Sequence, residues 1–147
     1  MAMFSKTTEY ALRATIYIAQ KSTKEKKISI DEISKAIDSP KSFTAKILQA
    51  LTKDNKIISS ISGPNGGFYM TAKAKALPIR AMLEAIGDDD IFEKCVMGLK
   101  NCSEKKPCPL HARYKPIKEQ LRQLFEERTL GDLAENMIGK KTFIGNK

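Results

Sequence analysis

All three cysteines of the chain and its only histidine fall in one stretch: Cys95, Cys102, Cys108 and His111, with six, five and two residues between them. Thiolate and imidazole are the donors that hold zinc or iron, and Gly98, Asn101, Ser103, Pro107 and Pro109 make the intervening chain a turn-rich loop able to close around a metal or cluster. Zinc on three cysteines and a histidine is the nearest rival to an iron-sulfur cluster. Structural zinc sites favour cysteines about two to four residues apart, and gaps of six and five residues contain no such pair. Three thiolates with a weaker nitrogen or oxygen donor would leave one iron labile, which suits sensing more than structure.

Composition narrows the setting. The chain has 147 residues, enough for one domain with an appended helix, and a net charge of +9 that favours a polyanionic partner. No apolar run of about eighteen residues exists, so no bilayer span is expected. The first residues, Met1 to Lys6, lack the apolar core of a signal peptide. These features predict a cytoplasmic protein with reduced thiols, where an odd count of three cysteines points to metal or redox chemistry rather than disulfides.

The elements that must position this loop read as follows. Phe4 to Gln20 is apolar on most sides, with Ser5 as its N-cap, and predicts a buried helix. Lys21 to Lys27 reads as an exposed basic loop. Ser29-Ile30-Asp31-Glu32 has the form of a capping box and opens a short helix carrying Ile30, Ile33 and Ile37. Asp38-Ser39-Pro40 breaks it, and Ser39 as cap with Pro40 in the first turn starts a second helix to about Lys53. That helix buries Phe43, Ile47, Ala50 and Leu51. Two short helices across a tight turn make a helix-turn-helix.

A hairpin follows. Ile57 to Ser62 and Phe68 to Thr71 are rich in β-formers and flank Gly63-Pro64-Asn65-Gly66-Gly67, as in a wing. Its glycines lack nucleotide-loop spacing. Leu77 to Ile86 predicts a helix stopped by Gly87. The run Asp88-Asp89-Asp90 leads into the cysteine segment and reads as solvated. Beyond His111, Tyr114, Ile117, Leu121 and Leu124 form a seam near a 3.5-residue period with Phe125 beside it, the pattern of a helix packed on a partner helix. Pro116 either starts this helix or kinks one that begins near Pro109. A last helix opens at Thr129-Leu130-Gly131-Asp132 with Leu130, Leu133 and Met137 on one face, and the basic end Lys140 to Lys147 is expected to fray. The fold class is mainly α with a small β-hairpin wing: a winged helix-turn-helix over residues 1–87, a cluster-binding loop over 88–111, and a dimerisation helix with a C-terminal helix over 112–147.

This order of motifs resembles the Rrf-two family of bacterial transcription regulators, of IscR/NsrR type, over nearly the whole chain. The resemblance rests on Thr8-Glu9-Tyr10-Ala11-Leu12-Arg13-Ala14, on Lys46-Ile47-Leu48-Gln49-Ala50-Leu51, on Ser59 to Phe68 in the wing, on the three cysteines, and on Thr129 to Ala134. It implies a homodimer held by long helices, and an iron-sulfur cluster on Cys95, Cys102 and Cys108, with 2Fe-2S ranked ahead of 4Fe-4S and zinc as the alternative. Either His111 or an acidic residue of the partner subunit's first helix, matched by Glu9, would complete the ligand set. It further implies a double-stranded, pseudo-palindromic DNA operator. Lys41, Ser42, Lys46 and Gln49 are then the expected readers, with Ser62, Asn65 and Gly66 of the wing along the backbone. The chain departs from the family pattern in the six-residue gap after Cys95, in Ser62 where many relatives carry Arg or Lys, and in Asp54-Asn55-Lys56, a turn without glycine.

Other classes of function fit less of the chain. A regulator without metal, controlled by its thiols or by another protein, keeps the DNA-binding half and reassigns the cysteines. A small iron-sulfur redox protein leaves that half without a purpose, and no flavin, nucleotide or second-cluster motif supports it. No enzyme is expected, because the one histidine already belongs to the cysteine loop.

Overall fold

The computed structural model describes residues 3–99, 104–136 and 144, so Cys102, Met137 and all of the basic end except Ile144 lie outside the described residues. Helix α1 (Lys6–Lys21) starts where the Ser5 hydroxyl accepts the Thr8 N–H at 3.2 Å. Ala11, Ala14 and Ile18 on its inner face are fully buried. Small residues there let neighbouring helices approach closely, and α1 becomes the central strut of the core.

Helix α2 (Ile30–Ile37) is capped by Ser29, which accepts the Glu32 N–H at 3.2 Å. Only half of the expected capping box forms. The Glu32 carboxylate accepts a 2.7 Å hydrogen bond from the Tyr17 hydroxyl of α1, a partner the local sequence does not reveal. Asp38 then turns the chain in the left-handed region (φ 54°). Helix α3 (Lys41–Leu51) begins one residue later than expected, because Pro40 at ψ 142° stands outside the helix and takes the cap position itself. Its carbonyl accepts the Thr44 N–H, and the Ser39 hydroxyl turns to that same carbonyl rather than to a free N–H. Ile47, Leu48 and Leu51 pack inward; Phe43 and Ala50 are only half-buried.

Asp54 and Asn55 both adopt left-handed backbone (φ 57° and 49°), so this turn works without glycine. The Asn55 side-chain oxygen accepts the Ser60 N–H at 3.2 Å and fixes the start of the hairpin. Strands β1 (Ser59–Ile61) and β2 (Gly67–Tyr69) are antiparallel, with Ser60 opposite Phe68. Ile28 pairs with Phe68 on the other edge through two 2.9 Å backbone bonds, so the segment before α2 braces the wing.

After the short helix α4 (Ala72–Lys75) comes α5 (Ile79–Ile86), ended by Gly87 at φ 84°. It starts two residues after the expected Leu77, and the reason lies far along the chain. The Leu77 carbonyl accepts from Leu130 N–H and Arg128 carbonyl accepts from Ile79 N–H, at 3.0 and 2.9 Å, so this backbone is already paired. Helix α6 (His111–Glu127) contains Pro116 beyond its first turn. Helix α7 (Leu130–Asn136) opens with a reciprocal cap: Asp132 N–H to the Thr129 hydroxyl at 3.1 Å, and Thr129 N–H to the Asp132 carboxylate at 2.9 Å. It packs back across α1. No helix among the described residues is long and apolar enough to cross a membrane.

Candidate metal centre and nucleic-acid interface

The cysteine segment is fastened at its start. Asp88 accepts a 2.7 Å hydrogen bond from the Thr8 hydroxyl of α1, so the first of the three expected solvated carboxylates is in fact tied to the core. Four residues on, Phe92 is fully buried, its ring 5.7 Å from that of Phe125 on α6. Arg80 of α5 lies over the same ring at 4.8 Å and pairs with Glu126. Arg122 of α6 donates to the Phe92 carbonyl at 3.2 Å and reaches Glu93 at 3.4 Å. Two arginines from two helices therefore grip the chain just before Cys95.

Cys95 is 6 % exposed. The Met97 N–H points at its sulfur at 3.4 Å, and Gly98 in the left-handed region (φ 80°) bends the chain back so that the Gly98 N–H bonds the Cys95 carbonyl. Backbone N–H groups of Met97 and then Leu99 hold the Cys95 thiol below its ordinary pKa, outweighing burial, and the Cys108 thiol adds a further hydrogen bond. Dipoles aimed at sulfur favour the thiolate, the form that ligates metal. Cys108 is half-buried. Its carbonyl accepts the His111 N–H at 3.0 Å, and His111 opens α6 with its Nε2 turned away from solvent.

The structure thus brings Cys95 and Cys108 together and sets His111 one turn beyond. Among the described residues no group of three histidine, cysteine or carboxylate side chains is close enough to hold a metal, and Cys102 is outside them. Glu9 stands partly exposed in the first turn of α1, next to Thr8.

Of the expected DNA readers, Ser42, Lys46 and Gln49 are exposed on α3. Lys41 is exposed too, yet it is paired with Asp31 of α2 at 2.9 Å, which sequence reasoning missed because the partner lies across the turn. At the wing tip Ser62 and Asn65 are exposed and the Gly66 N–H bonds the Gly63 carbonyl. A Cβ on Gly66 would fall 2.0 Å from the Ile61 carbonyl oxygen, so only glycine closes this tip. Sequence reasoning also missed Thr8, Phe92 and Arg122. Thr8 is fully buried, a placement that shows only in the fold.

Comparison with known proteins decides the family. The model of the Rrf2 family, described as an iron-dependent transcriptional regulator, matches residues 4–136. The chain belongs to the Rrf2 family. Its members are DNA-binding transcription regulators, not enzymes. This Rrf2 chain is 32% identical over 133 residues to a protein of Aquifex aeolicus described as an HTH-type transcriptional regulator, covering 89% of this chain and 90% of that one. It is 28% identical over 132 residues to the regulator NsrR of Oceanobacillus iheyensis, covering 89% and 88%. The fold is that of CymR, the global cysteine regulator of B. subtilis, with a TM-score of 0.71 at 17% identity over 92% of this chain and 98% of the other.

Proposed function

We propose that this Rrf2 regulator acts as a homodimer whose DNA binding is set by an iron-sulfur cluster on Cys95, Cys102 and Cys108, 2Fe-2S ahead of 4Fe-4S. The observation that carries the reading is the collar of backbone N–H groups around the Cys95 sulfur, with the Met97 N–H at 3.4 Å and the Cys108 thiol adding to the same lowering of its pKa. A buried thiol held toward its anion fits a thiolate-ligated iron centre. His111, fixed to Cys108 through the backbone, is the fourth ligand in this reading, and Glu9 of a partner copy is the alternative. When bound, the cluster supplies a redox-sensitive, ligand-exchangeable centre. The chain's own part is to hold that centre beside α6, where Arg122 of α6 and Arg80 of α5 anchor the preceding residues.

Leu110, just before α6, and Ile117 and Leu124 on its face are 48%, 59% and 52% exposed, which supports a second copy packing there. In such a dimer two α3 helices would enter successive major grooves about 34 Å apart on a pseudo-palindrome. Ser42, Lys46 and Gln49 would touch base edges and phosphates, with Lys41 recruited from its ion pair and Ser62, Asn65 and Gly66 following the backbone.

The test is a visible spectrum with iron, sulfide and zinc analysis of protein purified without oxygen, beside Cys102→Ala. Brown protein with near-stoichiometric iron and sulfide, both lost in the variant, is expected. Colourless protein that carries zinc, or stays empty after reconstitution, would end the cluster reading. The influence of the Cys108 thiol on Cys95 favours one second reading, reversible thiol oxidation without metal. Under that reading a disulfide linking these two residues appears in peptide maps after exposure to peroxide, which is reduced to water as it takes the two thiol electrons.

A further inference from the structure

The long side chains on one face of α1 make a surface that the helix-turn-helix does not account for. Tyr10, Arg13 and Tyr17 are spaced three and four residues apart and so lie along one stripe. Each end of the stripe meets the first turn of a helix-turn-helix element. The Tyr10 ring packs edge-on against Phe43 of α3, with centroids 5.5 Å apart and an interplanar angle of 76°. Tyr17 donates to Glu32 in the first turn of α2. Arg13 lies between them, with its guanidinium 5.3 Å from the Tyr10 ring centroid. Lys6 reaches the same ring from one turn earlier, at 5.9 Å. Neither cation forms an ion pair among the described residues.

In helix-turn-helix docking the first helix crosses the DNA backbone and the second enters the major groove by its first turns. The starts of α2 and α3 therefore face phosphates, and a cation between them faces the same strand. Phe43 sits on α3 between buried Ile47 and exposed Lys46, so the Tyr10 ring borders the DNA-reading face. An arginine stacked on an aromatic ring keeps its planar fork of donors oriented, which suits a phosphate.

We propose that Arg13, held against Tyr10, grips a DNA phosphate beside the major-groove contact of α3, with Lys6 adding charge, so that the DNA footprint extends onto α1. The inference rests on α3 being the recognition helix. Phosphate contact is independent of sequence, so a fluorescein-labelled duplex of random sequence serves as the probe, titrated by anisotropy over a series of salt concentrations.

Arg13→Ala is expected to lower affinity and reduce the slope of log affinity against log salt by about 0.9 for each Arg13 engaged. Arg13→Lys should keep the slope and Arg13→Gln should lose it. Should Arg13→Ala melt early, the Lys and Gln variants, compared below both melting transitions, read the same quantity. A wild-type slope in Arg13→Gln, with the slope reduced in Lys46→Ala, overturns the Arg13 contact and leaves the recognition helix standing. Failure of the unmodified protein to bind the duplex at any salt concentration overturns both.

Discussion

The Thr8 hydroxyl donates a 2.7 Å hydrogen bond to the Asp88 carboxylate, joining the first turn of α1 to the residue where the cysteine segment begins. Thr8 is fully buried and also accepts from the Ser5 hydroxyl that caps α1. A hydrogen bond to a charged acceptor contributes about 1.5–3 kcal/mol, and Thr8→Val removes it with little change of shape. We expect urea unfolding to show a loss of that size. The loss should shrink when Thr8→Val is made in an Asp88→Asn background, because the charged partner is gone. Equal losses in both backgrounds would mean that the bond contributes nothing specific.

Tyr17 makes the comparable tie between α1 and α2. Burial raises its pKa most, and the hydrogen bond to Glu32 and that residue's negative charge raise it further, to about 12 from an ordinary 10. A folded-state value above the unfolded one favours the protonated form, so the stabilisation is complete below pH 10 and is lost as the pH climbs from 10 toward 12. Alkaline titration of tyrosinate absorbance should show a late step from Tyr17. Tyr17→Phe should remove that late step and flatten the alkaline fall in melting temperature. A late step that survives in the variant belongs to another tyrosine.

What could be read from the chain in advance was whatever is decided locally. Ser5 and Ser29 cap their helices through N–H groups three residues on, and Gly87 stops α5 because it enters the left-handed region without strain. The crowding of Cys95, Cys108 and His111 was visible as spacing. The misses have partners far away in sequence. Leu77 looked helical, but its carbonyl is taken by Leu130. Glu32 looked like half of a capping box, but Tyr17 competes for it from α1. The collar around the Cys95 sulfur depends on how Gly98 turns the backbone, and the sequence shows only that a glycine is available. Pro40 was misassigned by one position, because a proline fits both the cap and the first turn until ψ is known.

The exposed face of α6 yields a test that needs neither metal nor DNA. Ile117 and Leu124 lie seven residues apart, two turns along one side, and are 59% and 52% exposed in the single chain. If a second copy covers them, an aspartate at either position places an unpaired charge in an apolar seam. Sedimentation equilibrium should give twice the chain mass for the unmodified protein and a single-chain mass for Ile117→Asp or Leu124→Asp, with far-ultraviolet circular dichroism unchanged. Variants that still sediment as two chains would place the interface elsewhere.

Lys41 and Asp31 supply the last prediction. They form a 2.9 Å ion pair between the two helices of the helix-turn-helix, with side chains 62% and 65% exposed. A pair so exposed contributes at most about 1 kcal/mol, so breaking it should barely move the melting temperature. Its effect on DNA should be larger, because Asp31 both occupies the Lys41 ammonium and repels nearby phosphate. Asp31→Asn is therefore expected to tighten binding to duplex DNA and to steepen the salt dependence by up to about 0.9 for each Lys41 that gains a phosphate. Lys41→Ala should weaken binding less than Lys46→Ala, since Lys46 forms no ion pair among the described residues. The discriminating experiment is the double variant Asp31→Asn with Lys41→Ala. If Asp31 acts by restraining Lys41, the double variant loses the gain in slope. If it acts by repulsion alone, the gain in affinity persists without Lys41, and the ion pair is irrelevant to DNA binding.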